Sequence, residues 1–432
     1  MGIFTGPKAN QVFTPGDLPL NKSNVYVSRA VSEEKLRRGL ERNWCPIVHG
    51  DYGVGKTTMV RRYFHAEERR DLYARWVLKA PRRGRVVYFA SADGLTMPKV
   101  FEAVLDHLEY RVEIERTSTR ASDTAAGFSD SSIAISATRS RARSVTERLV
   151  VTAPTDESLL RIIDGARLTI IIDELHRASD AFRADLVPFI KASRISAARS
   201  NLVLIGTAAD ALTLVSSDPG IDRYVADTPV KTMSEAEARL LITDGFKKLA
   251  ITIPEEIVVR TIQAAAGAPA TVQALCLDMA ENAGSERRRV IGEADLTYAV
   301  KHFIQDRHGR MTRRYIAAIE THGEKRYRKR ILHAIASLEG DYATMEDIRA
   351  SVSVQLGEDV QAGAISGPLR DLKKAEFGSI LQDVNRDSGG RIQNVTSFAD
   401  PMMKSYVRFM DTITSTHLVH EDEVREALAP QA

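Results

Sequence analysis

The stretch Cys45-Pro-Ile-Val-His-Gly-Asp-Tyr-Gly-Val-Gly-Lys-Thr-Thr58 constrains the fold more than any other part of the chain. Gly50, Gly55, Lys56 and Thr57 fall at the spacing G-x-x-x-x-G-K-[ST]. Glycines at such positions let the backbone turn tightly, so that successive N–H groups from Gly50 through Asp51, Tyr52, Gly53, Val54, Gly55, Lys56, Thr57 and Thr58 converge on an anion. Lys56 adds positive charge toward β and γ phosphates, and the Thr57 hydroxyl is suited to a magnesium ion. The apolar run Pro46-Ile-Val48 before the loop reads as a strand. Met59, Val60, Tyr63 and Phe64 after it have the period of a helix. Strand, glycine loop and helix is the context in which this spacing binds a nucleoside triphosphate.

A second stretch completes the pattern. Leu168-Thr-Ile-Ile-Ile-Asp173-Glu174 is mostly β-branched and ends on two acids, which describes a buried parallel strand with carboxylates at its tip. Ligands of open α/β sheets bind at such tips. Asp173 is expected to share Mg²⁺ with Thr57, and Glu174 to orient or deprotonate an attacking water. His176 and Arg177 read as helix-start residues; His176 as a metal ligand lacks a second ligand nearby. The next apolar run, Asn201-Leu-Val-Leu-Ile-Gly-Thr207, ends on a hydroxyl. Thr207 reads either as a γ-phosphate sensor or as the N-cap of a helix at Ala208–Val215. A fifth strand is expected over Thr228–Met233. Arg223, before it, reads either as a residue reaching a neighbouring subunit's γ-phosphate or as a surface ion pair. Arg194 and Arg199 are its rivals.

Length and composition set the frame around this core. The 432 residues suggest two or three domains at about 150 residues each. The 60 basic and 57 acidic residues nearly cancel, so any nucleic-acid surface must be local. Cys45 and Cys276 are expected to be buried free thiols, which fits a reducing, cytoplasmic setting. No signal peptide is visible and no apolar stretch approaches 18 residues, so no membrane span is expected.

The remaining chain divides by pattern. Residues 1–23 read as an extended arm, and Ser32 as the N-cap of a helix carrying Leu36 and Leu40. Arg85–Ala90 reads as a strand and Met97–Leu108 as a helix. The Ser-, Thr- and Arg-rich insertion at about 111–154 reads either as a projecting hairpin or as a loop. Ser234 opens a helical lid over 231–305, punctuated by Gly267-Ala-Pro269. Residues 306–330 carry nine basic residues against three acids and read as a basic linker. Three helices (from Tyr327, from Thr344, and Ser366–Ala375), a hairpin around Gly389-Gly390, and a closing helix from Asp400 then describe a winged helix. Arg370, Lys373 and Lys374 fall on its third helix, and DNA is one partner for it and the basic segment.

This order resembles the AAA+ superfamily and its STAND relatives, in particular origin-recognition/Cdc6-like and transposition-regulator ATPases. The resemblance spans about residues 24–300 and is carried by Gly50–Thr57 and Leu168–Glu174. It implies a three-layer αβα P-loop ATPase core at 24–230, the lid at 231–305 and the winged-helix unit at 306–432. It also implies ATP and Mg²⁺ as ligands and hydrolysis to ADP. Val27 and Arg29, just before the first helix, lie where such ATPases hold the adenine; packing of the arm is the other reading. Many relatives carry Gly-x-Pro-Arg in the lid, whereas Ala270 follows Pro269 here. A Gly-x-Pro without arginine is similar to STAND switches. The expected activity is therefore a slow, ATP-gated oligomeric switch that recruits a partner protein, in a setting such as defence against phage or transposition. The alternative is an ATP-regulated DNA-binding protein.

Overall fold

The computed structural model describes residues 6–16, 23–66, 86–108, 157–320 and 326–419, apart from positions 198, 208–209, 212–213, 216–217, 219, 308, 339–341, 388–391 and 417. The insertion at 111–154 lies outside the described residues.

Five short strands form one parallel sheet in the order β2-β3-β4-β1-β5, where β1 is Cys45–His49, β2 Val86–Ala90, β3 Thr169–Asp173, β4 Asn201–Gly206 and β5 Val225–Pro229. Alternation along the strands feeds two cores. Ile170, Ile172, Leu202 and Leu204 pack with the helices Met97–His107, Glu157–Gly165 and Asp180–Ser196. Ile171, Val203, Ile205 and Val48 face the opposite way, onto Leu36 of the helix Ala30–Glu41 and Met59, Val60 and Phe64 of the helix 56–66. A period of two with both faces apolar is what burial between two helical layers demands.

Several boundaries differ from expectation. The first helix starts at Ala30 with Arg29 at its N-cap; Ser32 is buried and donates to Pro229 O at 2.8 Å. Strand β5 runs over Val225–Pro229 rather than 228–233, because Cys45 pairs in register with Val225 and His49 with Pro229. The arm is not simply extended: Ala9–Val12 is a short helix, and Phe13 is buried against Phe246 at a ring separation of 5.2 Å.

The segment expected as a lid contains the helices Glu235–Lys248, Glu255–Ala265, Pro269–Ser285 and Glu293–His302. Ser234 and Glu237 form a capping box at its start, a device that contributes about 1 kcal/mol. The expected basic linker is instead a helix, Gly309–Ile319, with Met311, Tyr315 and Ile319 buried. Helices Tyr327–Ser337, Met345–Leu356 and Ala362–Asp371 follow, then an antiparallel hairpin of β6 (Leu381–Asp387) and β7 (Ile392–Phe398), and the closing helix Pro401–Ser415. No described helix is long and apolar enough to cross a membrane. Cys45 and Cys276 are free and buried, and burial pushes the Cys45 thiol up to about 12.

Candidate nucleotide site

The loop between β1 and the helix 56–66 is shaped by its glycines. Gly50 has φ 152° and Gly55 φ 90°. A Cβ on Gly50 would lie 2.2 Å from Val230 O, so no other residue fits there. Val54 is buried and pins the loop to the core. Lys56 turns its amino group back over the loop and donates to Gly50 O and Asp51 O, each at 2.9 Å. The ammonium is thus folded back onto the start of the loop, and it lines the same cavity as the loop residues.

The next residue, Thr57, reaches the tip of β3: its Oγ1 donates to Asp173 Oδ2 at 2.6 Å. Asp173 is buried and also accepts from Glu174 N at 2.7 Å and from the Tyr88 hydroxyl. Tyr88 was not anticipated. It lies on β2 opposite Ile171 and is covered by the Arg61 guanidinium, 4.2 Å from its ring centre. Burial, and then the hydrogen bond to Asp173, push its phenol well above the ordinary range. The run Val-Val-Tyr-Phe-Ala reads as plain strand core; only the register of β2 on β3 exposes the contact.

Glu174 has φ 58°, the left-handed region, which costs a non-glycine residue about 1 kcal/mol or more. The turn carries its carboxylate away from the strand axis, with Oε2 3.2 Å from His176 Nε2. His176 is therefore a neighbour of Glu174. Among the described residues no cluster of three or more His, Cys, Asp or Glu is placed to hold a metal. Thr207 is joined to Asp210, its amide at 2.7 Å and its hydroxyl at 2.9 Å from Oδ2. That is the capping arrangement, yet Thr207 also lines a small space with Lys56, Asp173, Glu174 and His176.

These side chains open into a cavity of about 740 Å³. Loop residues from Tyr52 to Thr58 line it, together with Asp173 and Glu174, Val27 and Arg29 just before the helix Ala30–Glu41, and Pro269 and Ala270. The lid touches the loop directly, with Ala270 N 3.4 Å from Gly53 O. Arg29 is buried and donates to Thr232 O at 3.0 Å and to Lys231 O, and its Nη1 has no hydrogen-bond partner. It braces the segment that follows β5 while lining the cavity. Thr14 is tied to the lid through Gln273 at 2.7 Å, so the arm forms a wall of the same cavity.

The rival arginines separate cleanly. Arg194 is buried and donates to Ser200 O and Asn43 Oδ1. Arg199 is paired with Asp164 at 2.7 Å. Arg223 sits exposed on the turn Ile221–Arg223. That turn precedes β5, at the opposite end of the parallel sheet from the glycine loop. It cannot reach the cavity of its own chain.

A parallel sheet of this strand order, with the glycine loop after β1 and two acids at the tip of β3, decides the fold. The core is a P-loop ATPase fold. No protein-family model matches the chain, and no curated protein matches it. Solved structures similar to it include Cdc6p from Pyrobaculum aerophilum, at 16% identity, covering 95% of this chain and 99% of that one with a TM-score of 0.44. The Aeropyrum pernix ORC1 protein in complex with DNA is similar at 16% identity, 95% and 98% coverage and a TM-score of 0.47. A Walker-type ATPase of Pyrococcus abyssi is similar at 15% identity, 89% and 96% coverage and 0.44.

The C-terminal unit places its cations differently from expectation. Its third helix ends at Asp371, so Lys373 and Lys374 lie beyond it. Lys373 pairs with Asp383 at 2.5 Å and Lys374 with Asp371 at 2.8 Å. In the basic segment, Arg314 donates to Gly378 O and Ser379 O. Arg328 is buried, donates to Glu320 O and stacks on Phe377 at 4.0 Å. Arg330 donates to Gln355 O at 3.1 Å. Much of this positive charge holds the unit together.

Proposed function

We propose that the chain binds ATP with Mg²⁺, hydrolyses it slowly, and uses the nucleotide to switch an oligomer that recruits a partner protein. The observation that carries this reading is the 2.6 Å contact of the Thr57 hydroxyl with the Asp173 carboxylate, beside a loop whose lysine folds back to donate to its carbonyls at Gly50 and Asp51. The donor set fits magnesium: one hydroxyl and one carboxylate, both hard oxygens, leave the remaining positions to water and phosphate. Magnesium bound there would neutralise charge on the β and γ oxygens. Loop amides and Lys56 hold the phosphates, Val27 and Arg29 flank the base, and Glu174 positions the attacking water. Thr207 faces the same space, and in the sensor role its hydroxyl would turn its proton from Asp210 to the γ-phosphate. Ala270, at the place of the arginine many relatives carry, supplies no charge, which supports slow turnover.

Exposed Arg223, far from its own cavity, supports assembly in which one copy completes the next. Its side chain has no hydrogen-bond or ion-pair partner among the described residues. The test is the mass of wild type and Glu174→Gln in ATP, with and without duplex DNA. ATP is expected to raise the mass, and DNA to leave it unchanged. Arg223→Ala should bind ATP normally yet lose at least about tenfold in turnover; a variant as active as wild type would remove Arg223 from the site. A monomer under every condition would defeat the oligomer reading, and a DNA-dependent mass or ATPase rate would favour the DNA-binding alternative. The internal engagement of Arg314 and Arg328 weighs against that alternative.

Tyr88 gives a separate expectation. Tyr88→Phe removes one donor to Asp173 and should raise the half-saturating Mg²⁺ concentration for nucleotide binding by about threefold to tenfold. Nucleotide titration at graded Mg²⁺ checks this, with affinity in excess chelator unchanged.

A further inference from the structure

The closing helix Pro401–Ser415 is remote in sequence from the phosphate loop and sits against it in space. Lys404 Nζ is 3.1 Å from Asp51 Oδ1, and Arg408 Nη1 is 2.8 Å from Asp51 Oδ2. Between them, Ser405 Oγ donates to Tyr52 O at 3.1 Å. Spacing of four residues puts both cations on one helix face. The Lys404 and Asp51 side chains are only 5% and 15% exposed, so solvent screens this pair far less than a surface pair. Arg408 also donates to Ala336 O and Leu338 O, at the end of the helix Tyr327–Ser337. One guanidinium therefore joins the C-terminal unit to the loop. Asp51 has a second link, since its carbonyl accepts from Lys56. Neither Lys404 nor Arg408 lines the cavity, so their influence on a bound phosphate passes through Asp51.

We infer that Lys404 and Arg408 are a latch on Asp51, through which docking of the C-terminal unit and retention of nucleotide strengthen each other. The inference rests on the proposal that the loop binds ATP. Its physical basis is charge. Asp51 stands in a loop that must gather several phosphate negative charges. Paired with two cations, its carboxylate is neutralised; unpaired and half-buried, it opposes the phosphates. Docking therefore favours nucleotide, and by linkage nucleotide favours docking by the same factor.

The test uses the full chain and a fluorescent ADP with MgCl₂. The double variant Lys404→Ala/Arg408→Ala should bind about tenfold more weakly than wild type. Adding Asp51→Asn to it should recover most of that loss, because the unopposed carboxylate is gone. Lost packing alone would not be recovered this way. In wild type, ADP should also slow amide exchange over 401–415, a readout that needs no variant to fold. Unchanged affinity in the double variant, a loss that D51N leaves in place, or exchange indifferent to ADP overturns the latch and leaves the nucleotide site standing. Wild type that binds no nucleotide overturns both.

Discussion

Lys56→Ala should abolish measurable ATP binding at micromolar concentrations while the protein stays folded. The half-buried ammonium donates to two loop carbonyls, at 2.9 Å each. These are the bonds a phosphate would replace, so the native structure holds the charge where the ligand arrives. Hydrogen bonds from a cation to phosphate contribute about 1.5–3 kcal/mol each. Losing two of them is worth about 3 kcal/mol or more, roughly a 100-fold or greater drop in affinity. Stability should change little. Val54, Met59 and Val60 anchor the loop and its helix to the sheet through a hydrophobic cluster with Val48, Ile171, Val203 and Ile205. Calorimetric titration with ATP and a thermal melt decide the matter together. Unchanged affinity would remove the loop from any nucleotide role, whereas a collapsed melt would show the lysine to be a structural brace.

The parts of the site that were legible in the sequence are those whose spacing is itself geometry. A glycine with φ near 150° facing Val230 O, a lysine and threonine at the next helix start, and acids ending an apolar strand each force a particular placement. What sequence left hidden depends on pairings between distant segments. Strand β5 lies ahead of its expected position because Val225-Ala-Asp-Thr-Pro229 is a sheet-edge strand with Asp227 exposed, so its apolar signal is weak. The helix Gly309–Ile319 was masked by its arginines. A count of charges cannot tell that Arg314 and Arg328 satisfy backbone carbonyls. Tyr88 carries no signal beyond that of a strand residue, because its hydroxyl finds Asp173 only through the register of two strands. The contacts of Lys404 and Arg408 with Asp51 span more than 350 residues and leave no local trace.

Glu174→Gln should lower hydrolysis by about 100-fold or more while ATP still binds, which is the range a positioned general base contributes. The substitution keeps size and shape, so the left-handed backbone at 174 and the Asp173 contact to Glu174 N need not change. What it removes is the charge that would accept the water's proton. His176, 3.2 Å from the carboxylate, makes the prediction sharper. If His176 rather than Glu174 handled the proton, Glu174→Gln would keep much of its activity and His176→Ala would lose it. With Glu174 as the base, His176→Ala should lose only the few-fold contribution of holding the carboxylate in place. Phosphate release under saturating ATP, measured beside nucleotide affinity for both variants, separates these outcomes. Glu174→Gln should also accumulate the ATP-bound oligomer, because the step that ends that state is the one it slows. A variant that hydrolyses ATP at the wild-type rate would take the tip of β3 out of the chemistry and leave it only a binding role.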